Sequence, residues 1–221
     1  AYASYTETFL SQTEQDINNN MLDPITGASR EVGAKAELFD GRLVASVAYF
    51  DIEQTNVAKL DPQTAALGPD EQRFIGTDGI KSTGYEIELA GQIGDNTQVS
   101  FGVTDFDIKS DDPADKVVAD YTPEQLVKLA LTHSLASIPK LTIGASANYQ
   151  SDIRREQGVL PSGEMIVTEQ PAYTLINLMA RYEINENVSI SLNANNVTDE
   201  KYLNSLYWAQ GYYGAPANYS A

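Results

Sequence analysis

The 221-residue sequence has no cysteine, which excludes disulfides, thiolate metal ligands and a cysteine nucleophile. It has one histidine, His133, so a Ser-His-Asp hydrolase would have to be built around that residue. No serine stands in a Gly-x-Ser-x-Gly elbow, and close carboxylates such as Glu86 and Glu88 are a weak glycosidase signal. Positive charge is scarce as well. Fourteen Lys and Arg against 31 Asp and Glu give a formal net charge of -17, which excludes a nucleic-acid partner. No run of 18 apolar residues occurs, so there is no transmembrane helix. No cofactor motif and no metal-ligand spacing appears. The nearest approach is Asp105, Asp107, Asp111, Asp112 and Asp115, and it fails the EF-hand pattern because Lys109 takes the fifth position with no glycine after it.

What the sequence does have is alternation. A mean hydropathy of -0.30 reads as an ordinary soluble chain, but averaging hides a period of two. Val188, Ile190, Leu192 and Ala194 alternate with Ser189, Ser191, Asn193 and Asn195. Leu141, Ile143, Ala145, Ala147 and Tyr149 alternate with Thr142, Gly144, Ser146 and Asn148 in the same way. Such strands have one face for hydrocarbon and one for water. Similar patterns occupy residues 1–9, 29–39, 43–56, 80–93, 97–108, 124–136 and 173–184. The connections alternate too. Short turns fall at Asp40-Gly41-Arg42, Gly94-Asp95-Asn96, Ser137 to Lys140 and Asn185 to Asn187, and long polar stretches separate the other strands. Short turns at one end and long loops at the other are the rule of outer-membrane barrels.

Three stretches carry a family resemblance. Ser191-Leu-Asn-Ala-Asn-Asn-Val-Thr-Asp-Glu-Lys-Tyr202 resembles the penultimate-strand signature of TonB-dependent outer-membrane receptors. Glu31 to Leu43 resembles the family's hairpin "E-x-G-x-K-x-E-x-F-D-G-R-L", and Thr83-Gly-Tyr-Glu-Ile-Glu88 its "S-x-G-x-E-x-E" strand. Within the family the likeness is to ferric-siderophore receptors. The resemblance implies an all-β fold, an antiparallel transmembrane β-barrel of which this chain supplies about nine strands out of roughly 22. Residues 1–221 are accordingly expected to be a C-terminal portion of that barrel, with the plug domain and last strand outside them and Asn218 to Ala221 opening the next strand. The location implied is the outer membrane of a Gram-negative bacterium, crossed many times. The function implied is uptake of a ferric siderophore, with energy from TonB and its inner-membrane complex acting through a plug. No catalysis and no cofactor is implied. The alternative is a small passive channel or adhesin, which needs neither plug nor energy source.

Two groups of residues are candidates for contact. Tyr207, Trp208, Tyr212 and Tyr213 offer amphipathic rings to a metal chelate, or else fold on themselves or join the headgroup girdle. Lys35, Glu37, Glu86, Glu88, Lys128 and Arg181 fall on polar strand faces, where they face a plug or line a solvated lumen. The acidic run at Asp105 to Asp115 reads as a solvated loop, or as divalent bridging to lipopolysaccharide. His133 shares parity with Leu129 and Leu131 and reads as an interfacial side chain. Lipopolysaccharide and outer-membrane lipid are the expected surroundings.

Overall fold

The alternating stretches become strands. A computed structural model describes residues 1–110, 113–207 and 210–221, with 113–115, 207 and 210 described by backbone alone. The strands are β1 (Tyr2–Leu10), β2 (Ile25–Leu38), β3 (Leu43–Thr55), β4 (Val57–Leu60), β5 (Phe74–Thr77), β6 (Lys81–Ile93) and β7 (Thr97–Lys109). Helix α1 (Pro113–Asp120) follows. After it come β8 (Gln125–Ser134), β9 (Leu141–Gln150), β10 (Ile153–Val159), β11 (Met165–Gln170), β12 (Tyr173–Asn185) and β13 (Val188–Asn195). The last three are β14 (Leu203–Tyr207), β15 (Gln210–Tyr213) and β16 (Asn218–Ser220).

Ten of these form one sheet in the order β1-β2-β3-β6-β7-β8-β9-β12-β13-β16. Nine are the strands legible from alternation. The tenth, β16, pairs antiparallel with β13 through Asn193 and Ser220, Ala194 and Tyr219, and Asn195 and Asn218, so Asn218 does open a further strand. Three long loops contain their own two-stranded hairpins, β4-β5, β10-β11 and β14-β15. The stretch from Asp105 differs from the expected loop, because β7 continues to Lys109 and α1 follows. Asp105 and Asp107 are compatible with a strand there because Gln125 donates to Asp105 at 2.7 Å and Lys109 pairs with Asp107 at 2.5 Å.

By contact the chain divides into two units. The first comprises 1–33, 48–84 and 106–119. In it β1 pairs with β2 from Tyr2 and Gly33 to Leu10 and Ile25, and its two loops are stitched together. Gln12 donates to the Asn56 carbonyl at 2.8 Å, the Phe74 amide to the Gln15 carbonyl at 2.8 Å, and Arg73 Nη2 to Asn19 Oδ1 at 2.7 Å.

The second unit comprises 34–47, 85–105 and 120–221. Its register shows why the sheet has two unlike faces. Val99 lies opposite Leu131, Leu131 opposite Ala145, Ala145 opposite Leu178, and Leu178 opposite Ala194. One residue along, Gln98 meets Thr132, Thr132 meets Gly144, Gly144 meets Met179, and Met179 meets Asn193. Cross-strand neighbours of like polarity therefore build one apolar and one mainly polar face. The apolar face has no cover: Leu131, Ile143, Leu178, Tyr182, Ile190 and Leu192 are exposed, Leu192 to 57%. Apolar area this continuous marks contact with a membrane or a partner. His133 stands at its edge, with Nδ1 2.9 Å from Thr97 Oγ1.

At the short-turn end, successive turns are tied to one another. Arg42 pairs with Asp95 at 3.6 Å, the Ser134 amide donates to the Asn96 carbonyl at 2.9 Å, and Lys140 Nζ donates to the Ile184 carbonyl at 3.0 Å. The first turn is tighter than its glycine suggests. Positive φ begins at Phe39 (53°) and Asp40 (57°) and continues at Gly41 (81°), a primed-type geometry that matches the twist of the flanking strands.

Candidate functional site

The long-loop end of the second unit is organised around Asn196, where β13 stops. Asn196 takes the left-handed conformation, φ 50°, which asparagine tolerates better than most residues. Only 4% of it is exposed, and every polar group has work. Its amide donates to Asn177 Oδ1 at 2.9 Å, and its Nδ2 donates to the Glu200 and Ala215 carbonyls at 2.9 and 3.1 Å. Its Oδ1 accepts from the Glu200 amide at 2.8 Å. Asp199 accepts from the Ala217 amide at 2.9 Å. Tyr202 completes the clasp. Its ring lies 4.7 Å from that of Tyr173, and its carbonyl accepts from the Gly214 amide at 2.8 Å. A Cβ on Gly214 would come within 2.0 Å of the Tyr202 ring, so only glycine fits there. Buried Gln170 accepts from the Leu203 amide at 2.6 Å. These bonds fasten both ends of the β14-β15 hairpin to the sheet.

That hairpin carries the aromatic candidates. Tyr212 and Tyr213 are 65% and 84% exposed. As neighbours in one strand they point to opposite faces, so they do not form a single platform. Trp208 lies outside the described residues, as does the side chain of Tyr207. The adjoining β10-β11 hairpin was not legible as structure in the sequence. On one of its faces Gln157 donates to Tyr121 Oη at 3.2 Å and to Thr168 Oγ1 at 2.5 Å, and the Arg155 guanidinium sits 5.4 Å from the Tyr121 ring centre.

The six charged candidates occupy the face opposite the apolar one. Lys128 lies opposite Gly102 and Asn148, and Arg181 opposite Thr142 and Ser191. Lys35 and Glu37 alternate with Ala34, Ala36 and Leu38, and Glu86 and Glu88 with Tyr85, Ile87 and Leu89. Glu88 accepts from Ser46 Oγ at 3.2 Å. All six are exposed, and they are spread over β2, β6, β8 and β12 rather than gathered at one point. Among the described residues no group of three or more His, Asp or Glu side chains could hold a metal ion. Asp111 and Asp112 of the acidic run lie outside the described residues.

Residues 1–197 match the model of the TonB dependent receptor-like β-barrel family. The chain is 33% identical over 223 residues to the ferripyoverdine receptor of Pseudomonas aeruginosa, covering 98% of this chain and 27% of that protein. It is 30% identical to the ferrioxamine B receptor of Salmonella typhimurium, covering 97% of this chain and 30% of that one. The crystal structure of the Pseudomonas aeruginosa ferripyoverdine receptor bound to ferripyoverdine superimposes with a TM-score of 0.84 at 32% identity, over 98% of this chain and 29% of that one. The alcaligin outer-membrane receptor of Bordetella pertussis gives a TM-score of 0.71 at 33% identity, over 88% and 31%. The chain thus spans under a third of the length of these relatives. The two solved structures are of outer-membrane receptors, and the outer membrane is the location of this chain. A family match over most of the chain, with the two-faced sheet and long-loop hairpins described above, shows that the chain belongs to the TonB-dependent receptors, within their β-barrel domain.

Proposed function

We propose that the protein to which this chain belongs takes up a ferric siderophore across the outer membrane, with this chain as barrel wall and ligand-contacting loops. The observation that supports it most is the fit of 98% of the chain to a receptor holding ferripyoverdine. The apolar face meets lipid, and the polar face lines the lumen. The β10-β11 and β14-β15 hairpins reach the outside, where Tyr207, Trp208, Tyr212 and Tyr213 contribute to capture of the chelate. Transport needs no covalent chemistry. It needs binding energy outside and work to open the path.

The work comes from TonB and its inner-membrane complex through a plug domain. Lys35, Glu37, Glu86, Glu88, Lys128 and Arg181 face that plug. Solvated charges suit a surface along which a plug must shift, because losing a contact does not leave a buried charge unpaired. Lipopolysaccharide and lipid surround the barrel. The test is uptake of radiolabelled iron by iron-starved cells whose only receptor is the full-length protein. Accumulation of a ferric siderophore that requires TonB and the proton gradient supports the reading. Uptake that persists without TonB, or none with any pyoverdine- or hydroxamate-type chelate, contradicts it.

A further inference from the structure

We propose that Gln170 is a positioning residue for capture of the chelate, because its side chain couples the β10-β11 hairpin to the β14-β15 hairpin and makes the two move as one body. The inference rests on the reading above that these hairpins contact the siderophore, and it names the residue that sets their mutual geometry.

Glutamine is mostly an exposed residue, yet Gln170 is only 4% exposed. It ends β11 opposite Ile153, which begins β10 and is buried as well, so the two close the base of the hairpin. A buried amide destabilises a fold unless its groups are bonded. Here both ends are. Nε2 donates to the Pro171 carbonyl at 2.8 Å, which fixes the amide plane, and Oε1 is left to accept from the Leu203 amide at 2.6 Å. Leu203 begins β14 and is the register partner of Tyr213 in β15. Gln170 therefore grips the residue that lies across from an exposed aromatic ring of the capture surface.

The β10-β11 hairpin is built to carry a displacement to that base. One face is polar and engaged: Gln157 bonds Thr168 and Tyr121, and Arg155 lies over the Tyr121 ring. The other face is open. On it Arg154 pairs with Glu156 at 2.9 Å, and Val159, Met165 and Val167 near the tip are exposed. Below the tip, the Ser151 amide donates to the Gln125 carbonyl at 2.9 Å and Ser151 Oγ accepts from the Gln125 amide at 3.1 Å. The hairpin is thus seated on β8 at its entry and on β14 at its exit. Asn196, Asp199 and Tyr202 fasten β14-β15 to the sheet, whereas Gln170 sets its position against β10-β11. Such coupling is reciprocal, so what orders one hairpin orders the other.

The experiment is hydrogen exchange read by mass spectrometry on the full-length receptor without chelate. Gly158 has φ 147° and nothing within 4 Å of where a Cβ would stand, so a side chain there strains β10-β11 without touching its neighbours. Gly158→Val should speed exchange about tenfold across 153–170 and about fivefold at 203–206. Gln170→Met keeps the length of the side chain and removes both bonds. In that background Gly158→Val should still act on 153–170 and no longer on 203–206. Ferripyoverdine and ferrioxamine B are the binding probes, and the chelate that the wild type binds should be held about fivefold more weakly by Gly158→Val, with a smaller added loss in the Gln170→Met background. Exchange at 203–206 that Gly158→Val alone leaves unchanged overturns the coupling, even if Gln170→Met fails to fold. An equal change at 203–206 in both backgrounds overturns it too. Transmitted exchange with chelate binding unchanged in every variant, or with neither chelate bound by the wild type, overturns the capture reading instead.

Discussion

Gly91 has φ 146°, and a Cβ there would meet the Arg42 carbonyl oxygen at 2.1 Å, while the neighbouring Gln92 amide donates to that oxygen at 2.7 Å. Gly91→Ala therefore strains φ and breaks a strand contact at once. The backbone term alone costs about 1–3 kcal/mol, so the barrel's denaturant midpoint should fall, or folding from urea into detergent should fail. Asn196 acts through its side chain. Asn196→Ala removes two donors and one acceptor from buried backbone groups, at about 1–3 kcal/mol for each group left unsatisfied. Hydrogen exchange should speed up across residues 203–213 while β8 and β9 keep their protection, and siderophore affinity should fall if that hairpin contacts the ligand. Asp16 makes a pH-sensitive turn in the first long loop. Its Oδ1 accepts the Asn18 and Asn20 amides, each at 2.8 Å. The Asn20 amide first, then the Asn20 side chain and Asn18, hold its carboxyl below the ordinary 3.8. A lowered folded pKa stabilises the turn above the ordinary value, and the stabilisation is lost as pH falls through the folded value. Exchange protection at Asn18 and Asn20 should be intact at neutral pH and be lost as pH falls below the ordinary carboxylate value.

Strands that separate oil from water announce themselves in sequence, because each residue must suit one solvent or the other. That is why β9, β12 and β13 are legible from alternation within a residue or two. It also yields a paired prediction. Leu192→Arg, on the apolar face, should destabilise the barrel by about 2–4 kcal/mol near the membrane midplane, whereas Ser191→Arg, next to it on the other face, should fold with nearly wild-type stability. Equal effects in unfolding titrations would refute the assignment of faces. The β4-β5, β10-β11 and β14-β15 hairpins were not legible for the complementary reason. They are bounded by water and protein on both faces, so Arg154, Glu156 and Glu169 sit in strands with no polarity rule to betray them. The site is split in the same way. The Asn196 to Tyr202 run was recognisable as a motif, but its task, fastening Ala215, Ala217 and Gly214 across a hairpin, depends on partners distant in sequence.

For the whole molecule, the apolar side chains are distributed as in a membrane barrel. Among the described residues only Leu43, Ala48, Val99 and Ile153 are buried hydrophobic ones, while dozens of large apolar side chains are exposed. The central claim is that one sheet face meets lipid and the other meets water. The absence of cysteine from this chain makes it directly testable. Single cysteines at 188 to 194, in an otherwise cysteine-free full-length receptor in intact outer membranes, can be probed with a water-soluble maleimide and, separately, with a lipid-phase quencher of an attached fluorophore. The account predicts a period of two: 189, 191 and 193 react with the maleimide, and labels at 188, 190, 192 and 194 are quenched from the lipid. Uniform reactivity along the strand, or the opposite phase, would contradict it.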